Sequence, residues 1–133
     1  VKTRGICANS DVDKVSDRFL PSALADIARG AVGEVRAGVG GPVIGTETKR
    51  TLVDSGVEVE IDLDPEFEGP LRAGKLYAFV SGEIVERGDD PRRGAEPGAR
   101  VEGVAEIAHV RNVTIGITLY ATGTHGPLVA VDE

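Results

Sequence analysis

The segment Val57-Glu-Val-Glu-Ile-Asp-Leu-Asp64 alternates apolar and acidic residues without a break. A period of two puts every apolar side chain on one face of an extended strand and every acid on the other, whereas a helix would scatter both around its circumference. The segment is therefore read as a strand with one buried and one solvated face, which needs a sheet around it. From Val32 onward the residues are β-branched and punctuated by glycine. That pattern predicts further strands at Val32 to Val39, Val43 to Val53, Lys75 to Glu86, Arg100 to Val110, Val113 to Thr122 and Leu128 to Val131. Three of these carry an internal glycine, Gly82, Gly103 and Gly116, and strand glycines mark bulges, bends or close backbone approach. Their repetition predicts a curved sheet. The expected fold is mainly β, a small barrel or a curved β-sandwich, with a short helical N-terminal segment packed on an open end or edge.

That helical segment is expected over residues 10–30. Ser10 is placed to cap a helix with Asp11 and Asp13 in its first turn and Val12, Val15 and Phe19 along one side. Pro21 interrupts it and suits the first turn of a second helix, with Leu24, Ile27 and Ala28 facing inward and Gly30 ending it. Residues 32–131 then form the β-rich body. At 133 residues the whole is read as one domain, 1–133, long enough to bury about two-thirds of its unfolded surface. The stretch Gly88 to Gly98 holds two prolines and three glycines and has no apolar face, so it reads as an exposed loop.

Charge narrows the function classes. The chain carries 22 acids against 15 bases, a formal net charge of −7, and such a surface repels phosphate backbones; no nucleic-acid partner is expected. Arg92 and Arg93 stand beside Asp89, Asp90 and Glu96, so no basic patch is legible. Residues 112–131 carry no acid or base, but their four threonines and three glycines read as two strands around a turn rather than a membrane span. The opening Val-Lys-Thr-Arg-Gly is not followed by an apolar stretch and does not read as a secretory signal; a soluble protein is expected, its localisation open. Cys7 is the single cysteine, which rules out an intramolecular disulfide.

The sharpest candidate for chemistry is the acidic row. Glu58, Glu60, Asp62 and Asp64 are expected to project from one strand face about 7 Å apart, prolonged by Glu66 and Glu68. They form a docking face for a basic partner, a weak cation site, a carboxylate pair, or simply a solvated face or charged edge strand. The four are taken as partner-binding candidates. No calcium-loop pattern is present, and His109, His125 and Cys7 lie on separate predicted elements without the spacing of a zinc site, so no metal and no catalytic residue is assigned. Gly38-Val-Gly-Gly-Pro-Val43 and Gly74-Lys75 lack the remainder of a phosphate-binding fingerprint and read as turns; Asn112-Val-Thr114 reads as the start of a strand. Two tyrosines and three phenylalanines supply few stacking platforms, and no cofactor is expected.

The function expected from these features is that of a non-enzymatic structural or assembly subunit, binding copies of itself as a homo-oligomer or a larger protein assembly. A virion component of a bacterial virus, decorating a capsid or joining head to tail, is a concrete instance by fold-level analogy. The alternative is a small enzyme or ligand-binding β-barrel whose site gathers dispersed residues: Cys7, His109, His125, Tyr77, Tyr120 and the acidic row. A closed pocket with His109 or His125 hydrogen-bonded to a carboxylate would favour chemistry; large apolar patches between chains would favour assembly.

Overall fold

The computed structural model describes residues 1–14, 17–87 and 105–132. In chain order it contains β1 (Lys2–Ala8), β2 (Asp17–Phe19), α1 (Pro21–Arg29), β3 (Glu34–Ala37), β4 (Val43–Val53), β5 (Gly56–Leu63), a single 3-10 turn at Pro65–Phe67 running into α2 (Glu68–Arg72), β6 (Tyr77–Arg87), β7 (Ala105–Thr118) and β8 (Val129–Ala130). The protein is mainly β, as the sequence predicts. The eight strands of the described residues join one sheet, which curls into an open half-barrel.

β7 is the spine of the sheet. β6 runs antiparallel along one edge of it, from Tyr77 opposite Thr118 to Arg87 opposite Ile107. On the other edge two short strands follow each other in line: β2 lies parallel to the start of β7, pairing Asp17 with Ala105, and β3 lies parallel to its end, pairing Val35 with Ile115. From β3 the sheet continues through antiparallel β4, β5 and β1 to β8. The turn between β3 and β4 needs left-handed backbone at Gly38 (φ 67°) and Gly40 (φ 72°), a conformation glycine adopts without a Cβ clash. The period-two reading of β5 is reproduced residue by residue. Val57, Val59, Ile61 and Leu63 are buried in the core with Val35, Ile115, Ile117, Leu71, Leu76 and Leu128, and α1 adds Ile27 and Leu24.

Two of the predicted strand glycines act as expected. At Gly116 an added Cβ would run into the Phe79 ring, so the glycine lets β6 and β7 approach closely. At Gly82 the pairing jumps from Ser81–Thr114 to Glu83–Arg111, leaving Asn112 and Val113 opposite one residue. That is a bulge on β7, and Asn112 adopts the left-handed conformation (φ 53°) that bulges often require and asparagine tolerates. The predicted breaks at Val110 to Val113 are therefore this bulge inside one long strand. Gly103, residues 100–104 and the loop Gly88 to Gly98 lie outside the described residues.

The first half of the expected 10–30 helix is corrected. Residues 17–19 are strand, and residues 10–14 form turns: the Asp11 N–H donates to Asn9 Oδ1 (3.1 Å), the Asp17 N–H to Asp13 Oδ1 (2.9 Å), and the Lys14 N–H to the Thr122 carbonyl (3.0 Å). Short acidic side chains compete for backbone N–H groups in turns as well as at helix starts, and the unpaired start of β7 offers Asp17–Phe19 a better partner than its own turn. The second half stands. α1 begins at Pro21 and ends before Gly30, burying Ala23, Leu24 and Ile27. β1 and α2 have no counterpart in the sequence reading. Because α2 and its 3-10 turn take up residues 65–72, Glu66 and Glu68 do not extend the acidic strand.

Candidate functional site

The gap between β2 and β3 leaves the middle of one β7 edge without a strand, and α1 fills it with side chains. The Leu20 N–H donates to the Ile107 carbonyl (2.9 Å), Ser22 Oγ to the Ala108 carbonyl (2.6 Å), and the Val110 N–H to Asp26 Oδ2 (3.2 Å). The same Asp26 oxygen lies 2.8 Å from His109 Nδ1, and its other oxygen accepts from Arg29 at 2.5 Å. A carboxylate can only accept here, so Nδ1 carries the proton. Partial burial works against ionisation of Asp26. The hydrogen bonds from His109 and the Val110 N–H, with the charges of His109 and Arg29, outweigh it and hold the carboxyl below its usual value. His109 is 44 % exposed and faces an open groove with Arg29, Arg111 and Asn112. The hydrogen bond is the one chemistry would need, but among the described residues the groove around it is open, and Asp26 is engaged in completing the sheet edge.

A buried ion pair supports the same junction. Arg50 on β4 forks onto both carboxylate oxygens of Glu47, and its remaining N–H groups reach the Ile27 carbonyl at the end of α1 (3.1 Å) and the Val113 carbonyl in the β7 bulge (3.1 Å). The two side chains are 2 % and 1 % exposed. Such a pair is tolerable in a core because nearly every donor and acceptor has a partner. Gly30 leaves room for it, since a Cβ there would press on the Arg50 guanidinium. Nothing in the letters Glu47-Thr-Lys-Arg50 distinguishes this pair from the exposed charges around it. Cys7 lies nearby, and burial pushes its thiol up to about 12, with Arg50 pulling down and Glu47 pushing up. A thiol of that kind is a packing group at neutral pH.

The acidic row lies on the outer face of β5, as expected, but β5 is an inner strand with β4 on one side and β1 on the other. The edge-strand explanation is corrected accordingly. Its charges are also matched from the neighbouring strand: Arg4 lies 3.7 Å from Glu58 and 3.3 Å from Glu60, and Lys49 stands opposite Glu60 in register. Asp64 falls beyond the end of β5, at the entry to the 3-10 turn. The row is an unbroken line of acids along the sequence and part of a mixed-charge lattice in space.

The outer half of β6 is different. From Gly82 to Arg87 all six residues are exposed, including Ile84 (45 %) and Val85 (55 %). The inner half is covered at its free edge: His125 Nε2 sits 2.7 Å from the Ala78 carbonyl, and the Leu128 N–H donates to the Leu76 carbonyl (2.8 Å). Among the described residues, no strand pairs with the free edge of the outer half. The pairing with β7 slips again between Ile84 and Glu86, so Val85 has no partner opposite it.

Of the dispersed residues considered for a site, Cys7, Tyr120 and His125 line one cavity, His109 lies in the separate groove, and Tyr77 pairs with Thr118. Among the described residues, no three His, Cys, Asp or Glu side chains come together to hold a metal ion, and no helix is long and apolar enough to cross a membrane. Comparison with protein-family models, with curated proteins and with solved structures gives no match in any of the three.

Proposed function

We propose that this chain is an assembly subunit that acts through protein–protein contacts, with the outer half of β6 as its docking surface. The observation that carries this reading is the run Gly82–Arg87, exposed throughout and holding two apolar side chains, Ile84 and Val85, that are 45 % and 55 % exposed. Bulges and charges on an exposed strand discourage open-ended strand addition. This one combines both with Ile84 and Val85, a pattern suited to one specific neighbour: apolar side chains at the centre of a contact, and Glu83, Glu86 and Arg87 at its rim. The partner is a second copy of the chain. A virion component that decorates a capsid or joins head to tail remains the concrete instance of such a subunit.

Hydrogen exchange at low and high protein concentration tests the surface. The amides of residues 82–87 become better protected as concentration rises, while those of β5 do not change. Equal exchange of residues 82–87 at both concentrations sinks the reading.

A further inference from the structure

Where β1, β2 and β6 meet the turn at residues 120–125, they line a half-open cavity of about 320 Å³. Its walls are Cys7, Ala8, Phe19, Phe79, Val80 and Ala121, and Tyr120 stands beside them. Three of the five aromatic residues of the chain therefore converge on one cavity. Among the polar lining groups Asp11 and Lys14 are exposed and Asp13 and His125 half-buried, with Asn9 and Thr122 beside them. The two carboxylates are anchored, Asp11 by Thr124 Oγ1 (2.6 Å) and Asp13 by the Asp17 N–H (2.9 Å). His125 sits 2.7 Å from the Ala78 carbonyl through Nε2. A carbonyl only accepts, so Nε2 carries the proton. Two carboxylates stand against one lysine in this lining, in a chain whose formal charge is already −7.

We propose that this cavity binds a small organic ammonium with an apolar body. The body fills the space between the phenylalanines, where it leaves water. The ammonium remains at the rim, where the aromatic rings and the Asp11 and Asp13 carboxylates attract a cation and repel an anion of the same shape. This site lies apart from the outer half of β6, and its occupancy does not depend on assembly.

The test compares 2-phenylethylammonium with 3-phenylpropionate, similar in size and opposite in charge, titrated into the full chain and followed by the amide chemical shifts of residues 7–14 and 119–125. The ammonium shifts these amides to saturation, and the carboxylate binds at least roughly tenfold more weakly. Asp11→Asn with Asp13→Asn keeps the hydrogen-bonding shapes and lowers affinity for the ammonium by roughly threefold to tenfold. Lys14→Gln, a change at an exposed rim cation, raises it and covers the case in which the double variant does not fold. Ala121→Leu, which narrows the space, abolishes binding. Equal binding of the two probes, no saturation by the ammonium up to roughly 10 mM, or an affinity indifferent to Lys14→Gln overturns the proposal.

Discussion

Arg50 ties more of the molecule together than any other residue described. Its guanidinium joins β4, the last turn of α1 and the β7 bulge, and it neutralises Glu47 in the core. Removing it leaves a buried carboxylate without its counter-ion, a far larger penalty than the loss of one surface pair. Arg50→Met therefore lowers unfolding stability by about 3–5 kcal/mol, and Glu47→Leu in the same chain recovers much of that loss, because an apolar pair of similar volume carries no desolvation cost. Chemical denaturation of the single and double variants reads this directly; a double variant no more stable than Arg50→Met contradicts it. Asp26 is the second residue of this kind. Its folded-state carboxyl titrates below its unfolded value, so its contribution to stability is present above roughly pH 4 and is lost as pH falls through the lower folded value. At pH 7, Asp26→Ala leaves the Val110 N–H and His109 Nδ1 without their acceptor and costs about 1–3 kcal/mol. The gap in denaturation midpoint between the variant and the original protein narrows as pH falls from 7 through the acid range, and a gap of unchanged size throughout contradicts this role for the ionised carboxylate.

Among the elements, β5 and α1 were legible in the sequence because each carries its own period, two along Val57–Leu63 and helical spacing between Leu24 and Ile27 bounded by Pro21 and Gly30, and β4 through its β-branched residues punctuated by glycine. β1 and β2 were not legible. Lys2–Ala8 holds a glycine and two bases among its first four residues, and it is a strand because β5 and β8 lie on either side of it. Asp17–Phe19 is three residues long and owes its conformation to the unpaired start of β7. Long-range pairing decided both, and no local pattern records it. The acidic row divides in the same way: its face follows from alternation, but Arg4 comes from a strand 54 residues upstream of Glu58, counting 58 − 4 along the chain. Because cross-strand cations already match these acids, Glu60→Gln with Asp62→Asn changes stability by less than about 0.5 kcal/mol. Assembly measured across a salt series is the same for this double variant and the original protein, if docking belongs to β6. Weaker assembly of the variant at low salt returns the acidic face to the docking surface.

As a whole molecule, the chain builds one curled sheet that stays open, buries a continuous aliphatic core inside the curl, and completes its interrupted β7 edge with a helix. An open sheet has ends, and the two here differ. β8 is only two residues long, whereas β6 runs for eleven with its outer half exposed. If the molecule works by assembly, the long end is where a neighbour sits, and a contact between identical copies through one surface closes as a symmetric dimer. The most direct measurement is the native mass by sedimentation equilibrium, for the original chain and for Ile84→Ser with Val85→Ser. Both altered residues are exposed, so circular dichroism and melting temperature stay close to the original. The original chain sediments at a multiple of its 13.9 kDa and the double variant at 13.9 kDa itself. An original chain that remains at 13.9 kDa up to roughly 100 μM, or a variant that assembles equally well, contradicts the account.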